Sequence, residues 1–243
     1  EMLMNNAVII TGAAKRVGAA MAVYFAHKKF DIALHYNSSK DEAAALQKEI
    51  QKTGVACEIF AHDLGDSKGL SELIEKINAK MPHCNVLVNN ASIFERCEFM
   101  ETDEALFDRQ FAINFKAPFF LTQAFAKKFG KNSGACVINI LDTDIAQNQT
   151  SHFAYLLSKK TLADFTKMAA RALGPDIRVN GVCPGSMLPS PQNYDGYDEK
   201  IKQLVPLKNQ PSLEELSEAT FWLAQQRSIT GQIINIDGGK HVL

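Results

Sequence analysis

The sequence predicts a single doubly wound α/β domain, with a seven-stranded parallel sheet and helices on both of its faces. Short runs rich in Val, Ile and Leu alternate with amphipathic stretches along nearly the whole chain. Such alternation of strands and helices is typical of a parallel sheet covered on both sides. The chain has 243 residues, a length that one α/β domain can occupy, and no linker rich in Gly, Pro or Ser divides it. We therefore expect one domain over residues 1–243.

The composition is that of an ordinary soluble globular protein, with 46% apolar and 22% charged residues. A formal net charge of −1 argues against a broad nucleic-acid surface. No apolar run approaches the roughly 18 residues of a membrane span, and no signal-peptide pattern precedes the first strand. The five cysteines are scattered without a C-x-x-C pair, which favours reduced thiols and no metal site. We expect a cytoplasmic protein without membrane or nucleic-acid partners.

Seven apolar runs are the candidate strands. They span residues 7–11, 31–36, 56–61, 85–89, 135–141, 177–182 and 232–236. Helical patterns fill the gaps, for example at 42–53, 70–81, 151–173 and 213–225. In sheets of this class, ligands bind outside the carboxyl ends of the strands. The residues that follow each strand are therefore the candidates for a functional site.

The first strand leads into TGAAKRVG, residues 11–18, and then into an apolar-periodic helix. Gly12 allows a tight turn, Gly18 allows the helix to pack closely, and the helix N-terminus between them can receive a pyrophosphate. Arg16 stands where a middle glycine is usual, and with Lys15 it brings two cations that suit a phosphate. The simpler alternative for a glycine pair after a strand is a turn without a ligand.

The end of the second strand bears on the choice of dinucleotide. About 20 residues beyond a dinucleotide-binding turn, an acid normally holds the ribose 2′-hydroxyl of NAD. Here the strand ends in HYNSS, residues 35–39, which contains no carboxylate. That composition fits the 2′-phosphate of NADPH, which Arg16, His35, Asn37 and Ser38 are the candidates to bind. The alternative is a polar turn that caps the next helix.

Three further strand ends or helices carry candidate residues. The Asp63 carboxylate, after the third strand, is placed to meet an adenine amino group. The fourth strand ends in NNAS, residues 89–92, whose small side chains allow the backbone to approach a ribose. Asn114 interrupts an otherwise apolar helix, and Asn is a poor helix former. A buried amide needs partners, so Asn114 is either a satisfied core residue or part of a water and proton path.

Asp142, Tyr155 and Lys159 form the most informative group. Residues four apart on a helix share a face, so the Tyr155 phenol and the Lys159 ammonium point the same way. An ammonium about 4 Å from a phenol can lower the phenol pKa by roughly 3 units. Asp142 follows the fifth strand and lies at the ligand-binding edge. The alternatives are a half-buried Tyr beside a solvated Lys, and an Asp142 that only caps a loop with Asp144 as the acid or neither serving.

With these pieces in order, the chain resembles the short-chain dehydrogenase/reductase family over essentially its full length. The matching pieces are TGAAKRVG, Asp63-Leu64, NNAS, Asn114, Tyr155-x-x-x-Lys159, the Pro184-Gly185 turn and Asp237-Gly238-Gly239. The resemblance implies a Rossmann fold and catalysis by Asn114, Tyr155 and Lys159, with a serine at the position of Asp142. The cofactor contacts inferred from the residues and from this resemblance are Gly12, Lys15, Arg16, Val17, Gly18, His35, Asn37, Ser38, Asp63, Leu64, Asn90, Ala91, Ser92, Tyr155, Lys159, Pro184, Gly185 and Ser186.

The departure at position 142 points to one branch of the family. Asp142, Arg16, HYNSS, and NNAS followed by Phe94 resemble the pteridine reductases, and SHFAYLLSKKTL and GGKHVL resemble their bacterial dihydromonapterin and dihydrofolate reductase relatives. The resemblance implies that Phe94 stacks on a pterin opposite the nicotinamide, with Arg16 and Ser92 near both ligands. It also implies a homotetramer. On sequence alone, Phe94 can equally be one of fifteen Phe residues that fill a core.

The chemistry of Asp142 agrees with that branch. An ionised carboxylate repels the oxyanion that develops when a ketone is reduced, whereas a pterin ring nitrogen must gain a proton. A carboxyl whose pKa is raised by desolvation can supply that proton. Two rivals stay open: a reductase of another carbonyl such as a 3-oxoacyl thioester, and an NADP(H)-binding protein without turnover. A segment of about 186–210, beginning SMLPSPQNYDGY, is expected to be the loop that covers the substrate.

Overall fold

Seven parallel strands run through the centre of the molecule, which a computed structural model describes over residues 6–132, 134–188 and 197–243. The strands are β1 (Ala7–Ile10), β2 (Asp31–Tyr36), β3 (Cys57–Ala61), β4 (Cys84–Asn89), β5 (Cys136–Ile140), β6 (Arg178–Pro184) and β7 (Ile233–Ile236). Their order across the sheet is β3-β2-β1-β4-β5-β6-β7. All six neighbouring pairs are parallel.

Helices connect the strands and cover both faces of the sheet. They are α1 (Arg16–His27), α2 (Lys40–Gln51), α3 (Leu70–Lys80), α4 (Glu104–Phe111), α5 (Ala117–Phe129), α6 (Phe153–Leu173), α7 (Tyr197–Leu204) and α8 (Leu213–Gln225). A π-helical turn, Ala112–Lys116, joins α4 to α5. Two short 3₁₀ turns, Thr143–Ala146 and Lys240–Val242, lie near each other beyond the ends of β5 and β7.

The core consists of two apolar layers, one on each side of the sheet. Successive strand residues point to opposite faces, so Ile32 and Leu34 pack under α1, α2 and α8 while Ala33 faces α3, α5 and α6. Fully buried side chains such as Phe25 and Phe125 anchor the two layers. Each such side chain stabilises the fold by about 1.5–3 kcal/mol relative to an exposed position.

The predicted fold class is confirmed, and the strands begin and end within two residues of the sequence prediction. The segment expected to be a substrate loop differs in part. Its second half contains the helix α7, and residues 189–196 lie outside the described residues. Among the helices of the described chain, none has both the length and the apolar character to cross a membrane.

The strand order determines where a ligand can bind. The chain adds β2 and then β3 on one side of β1. It then crosses back and adds β4 on the other side of β1. At such a reversal the connections leave β1 and β4 in opposite directions, which opens a crevice at their carboxyl ends. The turn after β1 and the segments after β4 and β5 all meet at this edge.

Candidate active site

A cleft of about 600 Å³ opens at this edge of the sheet. It brings together nearly all of the site residues predicted from the sequence; Asn114 lies behind its wall. The predicted residues that line it are Gly12, Lys15, Arg16, Val17, Gly18, His35, Asn37, Ser38, Asp63, Leu64, Asn90, Ala91, Ser92, Phe94, Asp142, Tyr155, Lys159, Pro184, Gly185 and Ser186.

The turn after β1 depends on its two glycines. Gly12 has a φ of +63°, and a Cβ on it would lie 3.0 Å from the Ala91 Cα. A Cβ on Gly18 would lie 2.3 Å from the Gly12 carbonyl oxygen. The Asn90 amide donates to the carbonyl oxygens of Thr11 and Gly12 at 2.8 and 3.2 Å. The turn, the start of α1 and the end of β4 therefore form one closely packed unit.

The start of α1 presents charge and backbone N–H groups to the cleft. Arg16 is exposed and has a φ of +54°, the left-handed conformation that glycine adopts readily. This explains why a glycine is usual at its position. Lys15 precedes the helix and pairs with Glu42 at 2.5 Å. The side chain of Lys15 does not cap the first turn of α1, and residues 15–18 line the cleft, where the N–H groups of that turn can serve a ligand.

His35 has a different role from the one predicted. Its Nδ1 accepts the Gly12 N–H at 3.1 Å, and its Nε2 lies 3.0 Å from the His62 carbonyl oxygen. Burial lowers the His35 pKa to about 4, so the imidazole is neutral at physiological pH. His35 therefore positions the Gly12 turn and is not a cation for a phosphate. Sequence reasoning missed this because both partners are backbone atoms from distant segments.

The polar segment after β2 and the Asp63 turn line the adjoining wall. Ser39 is the residue at the N-terminal cap of α2: its carbonyl oxygen accepts the Ala43 N–H at 3.0 Å, while its side chain makes no capping hydrogen bond there. The side chains of Asn37 and Ser38 are exposed to the cleft. Asp63 accepts the Gly65 N–H at 2.9 Å, which orients its carboxylate at the end of β3.

Asn114 lies in the π-helical turn and is fully buried behind the cleft wall. Its Oδ1 accepts the Ile93 N–H at 2.9 Å and the Ser92 hydroxyl at 3.0 Å. Its Nδ2 donates to the Ile93 carbonyl at 3.0 Å and to the Ser158 hydroxyl at 3.1 Å. Both atoms of the Asn114 amide have partners, as the alternative of a satisfied core residue expects, and these partners include Ser92 and Ile93 of the cleft wall. π-Helical turns are rare and often occur at functional sites.

Asp142, Tyr155 and Lys159 meet where β5 ends and α6 begins. The Tyr155 hydroxyl donates to Asp142 Oδ2 at 2.7 Å. The other oxygen of the same carboxylate, Oδ1, accepts the Asp144 N–H at 2.8 Å. Lys159 is buried, and its ammonium donates to the Ile140 carbonyl at 2.8 Å. Asp142 thus both caps its turn and contacts the phenol, which combines the two predicted alternatives.

The ionisation of this group differs from the sequence prediction. Burial, followed by the charge of Asp142, raises the pKa of Tyr155 well above its usual value, and does not lower it as the Lys159 argument predicted. Burial lowers the Lys159 pKa to about 8. Burial also raises the Asp142 pKa, against the hydrogen bonds from Asp144 and Tyr155 that lower it. The phenol is therefore neutral at pH 7, beside a carboxyl that gains a proton more readily than usual.

Asp144 is engaged elsewhere. Its Oδ1 pairs with the Lys240 ammonium at 2.6 Å, and both side chains are 21% exposed. The carboxyl that reaches Tyr155 is therefore Asp142, as predicted, and not Asp144. Lys240 lines the cleft but was missed, because nothing in the sequence near either residue connects them.

Phe94 stands at the mouth of the cleft with 59% of its surface exposed, so it does not fill a core. Its ring stacks on His152 with centroids 4.1 Å apart and planes 13° apart. It also meets the Tyr155 ring edge-on at 4.7 Å. His152 was not predicted as a site residue, although it lies three residues before Tyr155 and such residues share a helix face. Within the described part of the chain, no cluster of His, Cys, Asp or Glu could hold a metal ion.

Comparison with known proteins identifies the class of this site. A family model of the short-chain dehydrogenase type, described as enoyl-(acyl carrier protein) reductase, matches residues 12–241. The chain belongs to the short-chain dehydrogenase/reductase family. Members of this family are oxidoreductases that use a nicotinamide cofactor, and the predicted enzyme class is confirmed.

Individual members of the short-chain dehydrogenase/reductase family are similar over the whole chain. The 3-oxoacyl-[acyl-carrier-protein] reductase FabG of Staphylococcus epidermidis is 29% identical, over 98% of this chain and 100% of that protein. The structure of FolM alternative dihydrofolate reductase 1 from Brucella suis, in complex with NADP, is 35% identical with a TM-score of 0.93, covering 100% of this chain and 97% of that one. The corresponding protein from Brucella canis, also complexed with NADP, is 34% identical with a TM-score of 0.94, covering 100% and 96%.

Proposed function

We propose that this enzyme uses NADPH to reduce a pterin, a dihydropterin or dihydrofolate. The observation that carries the proposal is the hydrogen bond from the Tyr155 hydroxyl to Asp142 Oδ2 inside the cleft. A carboxyl at this point suits a substrate whose ring nitrogen must be protonated. The two Brucella structures similar to this chain are titled alternative dihydrofolate reductases, which supports the same substrate class.

The described residues fit a dinucleotide that carries a 2′-phosphate. Gly12 and Gly18 let the turn after β1 pack closely against Ala91 and Asn90, and this turn leads into the start of α1, where a pyrophosphate can bind. Arg16 is exposed beside the acid-free end of β2, where Asn37 and Ser38 provide polar groups. The Brucella FolM structures contain NADP, in agreement with the sequence prediction of NADP(H).

The protein holds the proton that the reaction consumes. When bound, the nicotinamide supplies the hydride. The Tyr155 hydroxyl donates to Asp142 Oδ2, so the proton between them lies on the phenol, and burial raises the pKa of both groups. Both shifts favour the protonated forms, so the phenol carries a proton at neutral pH and the carboxyl gains one more readily than usual. Lys159 is buried beneath the pair and is placed to hold the nicotinamide ribose.

The mouth of the cleft suits a flat heteroaromatic ring. Phe94 exposes one large aromatic surface there, and stacked aromatic pairs gain about 0.5–1.5 kcal/mol beyond the area they bury. Ser92 is fixed by Asn114, and Arg16 faces the same cleft from the opposite wall. We assign Phe94 to the pterin ring, and Arg16 and Ser92 to contacts with both ligands.

A second candidate is reduction of a 3-oxoacyl thioester, which the similarity to FabG supports. Asp142 argues against it, because an ionised carboxylate beside Tyr155 repels the oxyanion that forms from a ketone. A third candidate is a protein that binds NADP(H) without turnover. Binding alone does not require the enclosed Tyr155–Asp142 pair, which therefore argues against this candidate.

The substrate can be tested directly with purified protein. NADPH oxidation is followed with dihydropterins, dihydrofolate and an acetoacetyl thioester. The proposal predicts turnover of at least one pterin or folate at a higher kcat/KM than the thioester. A preference for the thioester would support the second candidate, and tight NADPH binding without oxidation of any substrate would support the third.

We also propose that the enzyme is a cytoplasmic homotetramer. Large apolar side chains are exposed along α4, α5 and α6, namely Phe107, Phe119, Phe120, Leu157 and Met168. Apolar surface of this kind marks contact sites between proteins. Light scattering on the purified protein should give four times the mass of one chain, and a monomer would contradict this assembly.

A further inference from the structure

The ion pair between Lys240 and Asp144 joins the end of the chain to the turn that carries the acid. The Lys240 ammonium lies 2.6 Å from Asp144 Oδ1 in a partly enclosed position on the cleft wall. The Asp144 N–H donates to Asp142 Oδ1 at 2.8 Å, so the two aspartates share one turn. A displacement of Asp144 would therefore displace the carboxyl that contacts Tyr155.

A second contact joins the same two segments. The Thr143 hydroxyl donates to Asp237 Oδ2 in a short, buried hydrogen bond. Asp237 in turn accepts the N–H groups of Gly239 and His241 at 2.9 and 2.8 Å. The Thr143–Ala146 turn is thus held against residues 237–242 by one buried hydrogen bond and one ion pair. The ion pair brings a cation to this turn, whereas the hydrogen bond brings the Asp237 carboxylate.

We propose that Lys240 is a positioning residue for the proton donor: its ion pair with Asp144 orients the turn and neutralises the charge nearest to Asp142. This inference rests on the proposed role of Asp142 as a proton donor. The ion pair balances the charge of this second carboxylate, which lies two residues from the acid.

The charges around Asp142 determine in which direction its pKa should move when one of them is removed. Tyr155 and Lys159 face it from α6, Cys183 faces it from β6, and Asp144 lies in its own turn. The charges of Asp142 and Asp144 also act on His152, which lies just before α6, and each acts to raise the His152 pKa. Asp144 is a like charge and acts to raise the Asp142 pKa, so the opposite charge of Lys240 must offset it.

The test measures the pH titration of the Asp142 carboxyl directly and needs no catalytic turnover. The protein is labelled with ¹³C at its aspartate carboxyl carbons, and the Asp142 signal is assigned by its loss in Asp142→Asn. The pH titration of that signal is then compared in wild type, Lys240→Gln, Asp144→Asn and the double variant. Lys160→Gln is the matched control, because Lys160 lies nearby and binds the neutral side chain of Asn148.

The proposal predicts shifts of opposite sign. Lys240→Gln leaves Asp144 uncompensated and moves the Asp142 titration to higher pH, while Asp144→Asn leaves Lys240 uncompensated and moves it to lower pH. The double variant returns close to wild type, Lys240→Arg stays there, and Lys160→Gln has no effect. Shifts in the same direction, or no shift in either single variant, would overturn the proposal. If Lys240→Gln fails to fold, Asp144→Asn alone must still shift downward, and any other result overturns it.

The substrate assays keep this proposal separate from the proposed function. Opposite shifts in a protein that reduces no pterin would retain Lys240 as a positioning residue and reject the pterin assignment. Pterin reduction by a protein in which the shifts are absent would retain the pterin assignment and reject Lys240 as a positioning residue.

Discussion

The Tyr155 hydroxyl donates to Asp142 Oδ2 at 2.7 Å, while Oδ1 of the same carboxyl accepts the Asp144 N–H. The two side chains therefore act as one proton-holding unit. Because burial raises the pKa of both groups, the unit keeps its proton at neutral pH. A reductase needs a proton donor, and the neutral phenol holds a proton at this point of the cleft.

The close packing of the cofactor turn should make Gly18→Ala destabilising. The added Cβ would lie 2.3 Å from the Gly12 carbonyl oxygen and 2.7 Å from the Asn90 amide nitrogen. Overpacking of this kind costs about 1–3 kcal/mol, more than the gain in helix propensity of about 0.5–1 kcal/mol. Urea unfolding should show a lower free energy of unfolding, and fluorescence titration should show weaker NADPH binding.

The matched control for that prediction is Gly174→Ala. A Cβ there lies 3.4 Å from its nearest neighbour, an ordinary contact, and Gly174 is exposed. This variant should stay near wild type in both measurements. Equal effects of the two variants would mean that the packing at Gly18 does not matter.

Arg16 should determine the preference for NADPH over NADH. A guanidinium bound to a phosphate contributes about 1.5–3 kcal/mol, or roughly tenfold or more in affinity. Arg16→Ala should therefore raise the Kd for NADPH by that factor and leave the Kd for NADH nearly unchanged. Wild type that binds NADH more tightly than NADPH would refute the interpretation of both Arg16 and the end of β2.

His35 should make the fold sensitive to acid. Its pKa of about 4 in the folded state lies below the ordinary histidine value of 6.5, so between these values the unfolded chain binds a proton that the folded protein does not. The free energy of unfolding should therefore fall as the pH drops from 7 to 4, by about 3 kcal/mol from this group.

Urea unfolding of wild type and His35→Asn over that pH range isolates the effect. Asn retains an acceptor near the Gly12 N–H but does not titrate, so the difference in stability between the two proteins should change across the range. If the free energies of unfolding of the two proteins changed with pH in parallel, His35 would not be the cause of the acid sensitivity.

The fold and the membership of the cleft were predictable because they depend on local patterns. Strand ends place Gly12, Asp63, Asn90 and Asp142 at one edge of a parallel sheet, whatever the details of packing. Helical spacing places Tyr155 above Lys159 in the same way. The left-handed conformation of Arg16 was not predicted, although the sequence places Arg16 where a glycine is usual.

The electrostatics of the site were not predictable from the sequence. The direction of the Tyr155 pKa shift depends on how deeply the phenol is buried and on which partner its hydroxyl reaches. The roles of His35, Asn114 and Lys240 depend on contacts with segments far away in the chain. No local pattern carries that information, because it arises only when the elements pack together.

Asp142→Ser tests the central assignment most directly. Serine restores the neutral donor of carbonyl reductases and removes the carboxyl, so NADPH oxidation with the preferred pterin should fall by about 10²–10⁴-fold. The Kd for NADPH should stay the same, and activity with an acetoacetyl thioester should not fall. A variant that keeps the wild-type rate with the pterin would contradict the role of Asp142 as proton donor.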